Sequence, residues 1–352
     1  MNGGDQSGPI RSLATYERLL NTARDGADGT RWIGEYGFYL DPPEREAMRR
    51  RRWRGMHPDL LPFARDGWGN RFCFVDAPDA LAPEGFAIVY WMYETFSAVP
   101  IASSFEAFLR WVGLSTWAHA RDPHYETVSE ADFEDAAAVL ESVGCCGDFD
   151  RLLPMPAPTR RDVLQAGLTL DPQSPALLVE SARRSVGKSP SLKAVAEAQR
   201  AAEHFRGFGG AHRTVAELVS GEASGPRFDA LLKALHAPLT FHGDADMPWF
   251  RGIPGADASA VSEALLAHPK HSQIDLDAPI WEIAHRLDPA NPLSWAEVGL
   301  SYADEGELRL ALPMACNAMH CAISDPELLG DMERLVDQLY VAMGWEPRLA
   351  PS

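Results

Sequence analysis

The chain has 352 residues, of which 46% are hydrophobic and 23% are charged. This composition is ordinary for a folded globular protein and excludes wholesale disorder, and the length favours two cores of roughly 100 to 200 residues each. The formal net charge of −18 disfavours direct binding to nucleic acid, because phosphates would be repelled, and favours a basic protein partner.

The acidic excess is concentrated in the middle of the chain. Residues 61–150 carry 15 Asp or Glu against 4 Lys or Arg, whereas residues 1–60 are nearly neutral. Such an excess has two interpretations, a field that steers a basic partner or a feature that keeps the protein in solution.

The sequence shows no membrane-spanning segment and no signal peptide, which predicts a cytoplasmic protein. No apolar run approaches the roughly 18 to 20 residues that span a bilayer, and the opening segment MNGGDQSGPIRS lacks the apolar stretch of a signal peptide. The five cysteines are odd in number and scattered without a CxxC pair, which predicts reduced, mostly buried thiols. We expect no association with a membrane.

The first predicted elements are helical. Apolar residues recur at helical spacing over residues 12–24, behind a possible cap at Ser12. The arginine-rich segment 45–54 follows, with acidic residues beside it, and such a run is typical of a solvated helix face.

Residues 57–112 change in character and predict strands joined by turns. The apolar stretches FCFV and FAIVYWMY are separated by clusters of Asp, Pro and Gly. The second stretch, residues 86–93, is typical of a central strand covered on both faces, with a turn of buried helix as the alternative. A helix follows, in which Ser103 and Glu106 have the spacing of a capping box.

The segment SEADFEDAAAVLESV at 129–143 predicts another helix with an acidic first turn. The proline-rich stretch RLLPMPAPTRRD then has the composition of a linker. We therefore place a domain boundary near residue 150, between a first domain at 1–150 and a second at 151–352.

The second domain is predicted to be all-α, because Ala- and Leu-rich helical stretches replace the strand signals. The segments LTLDPQSPALL and HRLDPANPLSW resemble each other as a helix end, a proline stop and a new helix start. The spacing of small and aromatic residues near the end of the chain also resembles a TPR unit, with Pro289 where a preceding repeat would stop. Those positions are Trp295, Gly299, Tyr302, Ala311, Ala315 and Ala318.

The string from His57 to Val112 resembles the core of SMI1/KNR4 (SUKH) domains. Its elements arrive in that family's order: LLPFA before a glycine-containing turn, a strand ending at Asp76, an aromatic strand ending near Trp91, and the helix SSFEAFL. The resemblance implies an α+β domain with a mixed sheet flanked by helices, followed here by the partly TPR-like helical domain. It also implies a bacterial immunity protein that neutralises a polymorphic toxin, often a nuclease, by covering its active surface.

Sequence motifs give no support to an enzyme. The segment HGDAD, with His242, Asp244 and Asp246, fits a polar turn better than a metal site, although an enzyme using these groups would contain bound metal. The glycine stretch at 205–213 lacks the Lys-Ser/Thr ending of a phosphate-binding loop and predicts a helix break. Histidines 119, 124, 268 and 271 lack zinc-hydrolase spacing and are interpreted as surface residues. We expect no catalytic residue, no metal and no cofactor.

Aromatic and acidic residues of the first domain are the predicted partner-binding site, because Trp and Tyr anchor interfaces and carboxylates steer basic partners. They are Asp66, Trp68, Asp76, Asp79, Trp91, Tyr93 and Glu94. Core packing is the alternative for Trp91 and Tyr93, because alternate residues of a covered strand are usually buried. The predicted function is inhibition of a basic toxin, and the alternative is an intracellular scaffold or adaptor that binds partners through the TPR-like region.

Overall fold

A computed structural model of the chain describes residues 19, 39–40, 53–66, 68–75, 87–120, 134, 137–138, 140–141, 144, 158–184, 191–219, 224–241, 245–247, 250–253, 257–271 and 280–349. The predicted helix at 12–24 is represented by Leu19 alone, which is helical and fully buried. In the segment 129–143 the described residues, 134, 137–138 and 140–141, are helical. The other residues of that segment lie outside the described ones. Most of the arginine-rich run 45–54 also lies outside them.

The N-terminal part is built on an antiparallel sheet whose five described strands follow one another in space in chain order. The strands are β1 (Tyr39–Leu40), β2 (Leu60–Arg65), β3 (Arg71–Val75), β4 (Ile88–Met92) and β5 (Ser97–Ala102). The α+β class is therefore confirmed. The expectation of a mixed sheet is wrong for the described sheet, because all of its neighbouring strands pair antiparallel.

The aromatic stretch 86–93 forms β4, which confirms the strand over the helical alternative. Four successive residues of β4, from Ile88 to Trp91, are buried, so both faces of the strand are covered. On one side a cluster of aromatic rings fills the space between the sheet and the next helix: Phe63 lies 4.3 Å from Phe74 and 5.5 Å from Phe105 between ring centroids. Burial of several such rings is the main stabilising contribution that this part of the chain can make.

Helix α1 (Phe105–Ala120) packs on this sheet, as the sequence predicts, but its cap differs from the prediction. The hydroxyl of Ser104, rather than Ser103, accepts a hydrogen bond from the Ala107 N–H at 3.1 Å. Ser103 instead donates its backbone N–H and its hydroxyl to the carboxylate of Asp171, at 2.8 and 2.6 Å. The predicted capping box is therefore wrong, because a residue 68 positions away competes for Ser103.

Beyond residue 150 the described chain is mainly helical, which confirms a helical C-terminal region. The helices are α2 (Arg160–Leu170), α3 (Pro175–Arg183), α4 (Leu192–His204), α5 (Gly209–Leu218), α6 (Gly225–His236), α7 (Ala258–Leu266), α8 (Ile280–Leu287), α9 (Pro292–Asp304), α10 (Leu308–Cys321) and α11 (Pro326–Ala342). The all-α prediction missed a small hairpin, β6 (Ala245–Met247) and β7 (Phe250–Ile253). Strands of three and four residues are too short to give a periodic signal.

The two similar proline segments have the same local structure. Helix α2 ends at Leu170 and α3 begins at Pro175 behind the capping hydroxyl of Ser174. In the same way α9 begins at Pro292, behind the capping side chain of Asn291. Proline suits the first turn of a helix because its missing N–H would have no partner there. The predicted helix break in the glycine stretch at 205–213 is present at residues 205–208, between α4 and α5, while residues 209–213 already belong to α5.

Helices α9 and α10 form the hairpin that the TPR-like spacing predicts. A Cβ placed on Gly299 would lie 3.3 Å from the Ala311 carbonyl oxygen and 3.4 Å from the Ala315 nitrogen, so the two backbones approach closely at this point. Trp295 is fully buried, and its indole N–H donates to the Pro289 carbonyl at 3.0 Å. The indole therefore fixes the turn that precedes α9.

The described residues form two hydrophobic cores, and the first extends across residue 150. It contains the sheet and α1 together with apolar residues of α2, α3 and the segments that flank α5, among them Val163, Leu177 and Phe205. Gly167 of α2 lies against the ring of Trp111, since an added Cβ would be 2.9 Å from that ring. The second core is formed by helices from Ala182 to Tyr340. The boundary at 150 thus stays a prediction, and α2 and α3 pack with the sheet.

Hydrogen bonds also join the sheet to the helices. The Ser174 hydroxyl that caps α3 donates to the Ile101 carbonyl at 2.7 Å. At the other side of the sheet, Asp59 immediately before β2 is fully buried, and its Oδ1 accepts from the Tyr340 hydroxyl and, at 2.8 Å, from the Arg348 guanidinium. Burial and the nearby Asp59 carboxylate raise the pKa of Tyr340 well above its ordinary value, so the phenol stays protonated and donates.

Candidate protein-binding surface

Two turns lie side by side at one end of the sheet. Residues 66–70 connect β2 to β3, and residues 93–96 connect β4 to β5. Because Arg71 of β3 pairs with Trp91 of β4, the two turns are neighbours. The side chain of Asn70 joins them, since its Oδ1 accepts a hydrogen bond from the Tyr93 backbone N–H at 3.2 Å.

Asp66 organises the first turn from inside. Its carboxylate accepts hydrogen bonds from the Trp68 and Asn70 backbone N–H groups at 2.8 and 2.9 Å, from the Asn70 side chain at 2.9 Å and from the Tyr90 hydroxyl at 2.7 Å. The residue is 2% exposed. A carboxylate that accepts four hydrogen bonds and is almost inaccessible holds the turn in one shape and has little left to offer a partner.

Trp68 stands at the tip of this turn with 75% of its surface exposed. The next residue, Gly69, has a φ of +92°, which a side chain would strain, and it lies over the Tyr93 ring with 3.6 Å between its Cβ position and Cδ1. The Trp68 N–H and the backbone of Gly69 are thus held in place while the indole remains in solvent. A large exposed indole on a rigid turn is the type of residue that anchors protein interfaces.

Trp91 is placed differently, because it is fully buried. The packing alternative therefore describes this residue, and its indole offers no surface to a partner. Outside it lies Trp53, which is 44% exposed, with its ring centroid 6.1 Å from that of Trp91 and 6.0 Å from that of Tyr93. Trp53 covers the buried indole and continues the aromatic surface outward.

Tyr93 and Glu94 are the residues that the second turn contributes to this surface. The Tyr93 hydroxyl donates to Glu94 Oε1 at 3.1 Å, and this hydrogen bond and the charge of Glu94 raise the pKa of Tyr93 above its usual value. The phenol therefore stays neutral at physiological pH. We call Trp53, Trp68, Tyr93 and Glu94 the turn surface.

The structure thus brings together part of the predicted site. Trp68, Tyr93 and Glu94 share one surface, Asp66 and Trp91 lie beneath it, and Asp76 and Asp79 are outside the described residues. The sequence prediction missed Trp53, which belongs to the run interpreted as a solvated helix face, and Asn70, which joins the turns. The Asp-Gly-Trp-Gly-Asn order was the available signal for Asn70, because Asp and Asn favour such turns.

Other predicted sites contribute little to this surface. His242 and Asp244 lie outside the described residues, as do Cys145 and Cys146, and among the residues that the structure does describe no group of three or more His, Cys, Asp or Glu could hold a metal ion. The interpretation of His268 as a surface residue is wrong, since it is 4% exposed with its Nε2 3.2 Å from the Ser224 carbonyl.

Cys73, Cys316 and Cys321 form no disulfide, and burial raises the pKa of Cys321 to about 12, which keeps this thiol protonated. Within the described ranges no helix combines the length and apolar character needed to cross a membrane.

The fold and the site define a class: an antiparallel sheet domain that presents exposed aromatic side chains on rigid turns and continues into a helical region. The model of the SMI1 / KNR4 family (SUKH-1) matches residues 5–111, which include the whole described sheet, and this confirms the family resemblance for the N-terminal part of the chain. A search of curated proteins gives no match to the chain.

Proposed function

We propose that this protein is a non-catalytic, protein-binding immunity protein that neutralises a polymorphic toxin, and that the turn surface contacts the toxin. The observation that carries the proposal is the exposure of Trp68 on a turn that Asp66 holds rigid. Domains of the SMI1 / KNR4 family are in general non-catalytic immunity proteins, which supports the same function.

Rigidity matters because a partner gains affinity when the anchor loses little conformational freedom on binding. Asp66, Asn70 and Tyr90 form a closed hydrogen-bond network below the turn, so the backbone beside Trp68 is already in place. An interface of ordinary size covers about 800 Å² on each partner, which is larger than one indole. Trp53 and Tyr93 extend the aromatic area on one side.

Charge supports a basic toxin as the partner. The net charge of −18 attracts a basic protein over long distances and speeds its association. A nuclease is the class of toxin that fits best, because an enzyme that holds nucleic acid carries a basic surface that an acidic inhibitor can cover.

The test is a co-purification of the tagged full-length protein from its own cells, with mass spectrometry, at low and raised salt. We expect recovery of a basic toxin in an amount that falls as salt rises. Trp68→Ala should weaken the affinity for the recovered toxin at least thirtyfold, which corresponds to about 2 kcal/mol for an interface anchor. The recovered toxin should lose its activity when the wild-type protein is added.

A matched control is Leu192→Ala on α4, which removes an apolar side chain that is 91% exposed and lies outside the turn surface. This variant should bind as the wild type does. If Trp68→Ala and Leu192→Ala retain the toxin equally well, the turn surface is not the contact. If the recovered partner keeps its activity in the complex, the immunity function is excluded.

A second candidate, an adaptor that binds partners through its helical region, is favoured by exposed leucines near the α9–α10 hairpin. Leu293 and Leu300 are 56% and 43% exposed and, seven residues apart, lie on one face of α9. Leu287 and Leu310 are 61% and 49% exposed. The adaptor would be established if non-toxin proteins co-purify with the wild type and with Trp68→Ala but not with Leu293→Ser.

A further inference from the structure

A short segment of the chain links the turn surface to the last helices. It begins with Trp53, whose ring centroid lies 6.1 Å from that of Trp91 and 6.0 Å from that of Tyr93. The next side chain reaches the helical region instead, because Nη2 of Arg54 donates a hydrogen bond to the carbonyl of Pro326, the first residue of α11, at 2.6 Å. Two consecutive side chains thus contact the two parts of the molecule.

Arg54 lies across the first turns of α11. Its Nε is 3.4 Å from Oε2 of Glu333, and a Cβ placed on Gly330 would be 3.2 Å from its Nη2. An exposed ion pair of this length contributes little by itself. A hydrogen bond from an ionised donor is stronger than one between neutral groups, so the bond to the Pro326 carbonyl and the close fit over Gly330 are the contacts that hold the guanidinium.

Gly55 brings the backbone itself close to the helical region. It is buried with a φ of +80°, and a Cβ at this position would lie 3.0 Å from Cγ1 of Ile323, between α10 and α11, and 3.8 Å from Cδ1 of Phe96 in the second turn. Phe96 has a φ of +53°, which a large residue adopts only where its surroundings determine it, and its ring centroid is 5.9 Å from that of Trp91. The second turn and the α10–α11 connection therefore both lie close to Gly55.

We propose that α11 holds Trp53 in its binding position through Arg54, so that the sheet and the helical region build the partner-binding site together. Arg54 is a positioning residue, which acts through the indole beside it. The inference rests on the proposed function where it concerns the toxin, whereas the position of Trp53 can be measured without a partner. Because α11 lies outside residues 5–111, the part of the chain that matches the family does not include this support.

The first measurement is fluorine NMR of the full-length protein labelled with fluorotryptophan. Trp53→Phe and Trp68→Phe assign the resonances of the two exposed indoles. Arg54→Ala should shift or broaden the Trp53 resonance and leave the Trp68 resonance unchanged. Gly330→Leu should do the same from the helix side without a change of charge, because its side chain would displace the guanidinium while leucine favours a helix more than glycine does. An unchanged Trp53 resonance in both variants would overturn the proposal.

The second measurement is the affinity for the toxin that co-purifies with the full-length protein. Arg54→Ala and Gly330→Leu should each weaken binding about fivefold, although the loss of a positive charge alone would favour a basic toxin. In a Trp53→Ala background neither change should weaken binding further, since both act through this indole. Arg54→Lys should restore most of the affinity, because its ammonium group can donate to the same carbonyl.

Arg334→Ala is the matched control, because it removes the same charge from α11 while its guanidinium pairs with Asp331 of the same helix. This variant should behave as the wild type does in both measurements. Losses that multiply in the Trp53→Ala background would show a direct contact of Arg54 with the toxin and would refute the positioning role. The role is also refuted if Trp68→Ala weakens binding while Arg54→Ala and Gly330→Leu do not. If toxin binding ignores Trp68→Ala, the proposed function has failed, and the NMR result alone decides whether α11 holds Trp53.

Discussion

The two ends of β2 show the same residue type used in two ways. Asp66 after the strand is buried, and its described side-chain partners lie within 24 positions of it. Asp59 before the strand is buried as well, but it bonds Tyr340 and Arg348, which are more than 280 positions away. The first aspartate shapes a local turn that points to solvent. The second joins the sheet to the end of the chain. Burial of an acidic residue therefore does not reveal by itself whether it supports a surface or an internal junction.

The largest expected effect on stability is at Asp59, which joins the sheet to the end of the chain. Asp59→Ala would leave the Arg348 guanidinium, whose side chain is 8% exposed, without its carboxylate. Removing one partner of a buried ion pair costs about 3–5 kcal/mol of the free energy of unfolding. Urea denaturation of the full-length protein measures this loss. An unfolding free energy within 1 kcal/mol of the wild type would show that the long-range junction is not needed for stability.

The corresponding change at the other end of the strand should be smaller and more local. Asp66→Ala removes the acceptor of four hydrogen bonds, and we expect a loss of about 2 kcal/mol, since the turn can be partly solvated once it opens. Hydrogen exchange should increase at the amides of Trp68 and Asn70 and change little in α11. A uniform increase across the helices would show that both aspartates act globally.

A third substitution tests the packing across residue 150 without altering charge. Gly167→Ala would place a Cβ 2.9 Å from both the Trp111 ring and Leu177 Cδ1, so the helix or the ring must shift. Overpacking of this kind costs about 1–3 kcal/mol. Differential scanning calorimetry should show a lower melting temperature in one cooperative transition. If a separate early transition appears instead, the sheet and α2 unfold independently, in agreement with the boundary predicted near residue 150.

The last expected effect concerns the pH dependence of stability on the helical side of the molecule. Burial, and then the charges of His285 and Arg286, lower the pKa of His236 to about 3, and its Nε2 lies 2.9 Å from Nε2 of His285. Below about pH 6.5, His236 is therefore protonated in the unfolded chain but stays neutral in the folded chain. Its stabilising contribution is complete above that pH and is lost as the pH falls toward 3, by at most about 1.4 kcal/mol per pH unit.

Denaturation curves at pH 7.5 and pH 5 compare the wild type with His236→Gln. The variant should lose less stability than the wild type over this interval, because it lacks the group that takes up the proton. Equal losses in the two proteins would assign the pH dependence to other groups.

The sequence predicted what depends on neighbours along the chain. The strand at Ile88–Met92, the helix after it, the proline-delimited helices and the close contact at Gly299 all follow from local periodicity or from side-chain size. The exposed position of Trp68 followed from its place in a Gly- and Asp-rich turn. Each of these features is decided within a few residues of the motif that predicts it.

What the sequence could not predict depends on partners far along the chain. The spacing of Ser103 and Glu106 suggests a helix cap, but the Ser103 hydroxyl donates to Asp171 instead. Nothing in the sequence around Asp59 indicates its hydrogen bond with Tyr340. Trp53 follows an arginine run, and its place over Trp91 and Tyr93 becomes visible only when the sheet is folded. No periodic pattern records such pairings, because tertiary packing decides them after the local elements have formed.

The cover of β5 has a consequence for association of the protein with itself. This strand is the last of the described sheet, yet all six of its residues are buried, because α3 packs against it and the Ser174 hydroxyl bonds the Ile101 carbonyl. A bare terminal strand presents unpaired N–H and C=O groups to which a second sheet can add. The first helices after residue 150 therefore cover the edge strand β5. A chain truncated before α3 should aggregate through pairing of its exposed β5 with strands of other molecules.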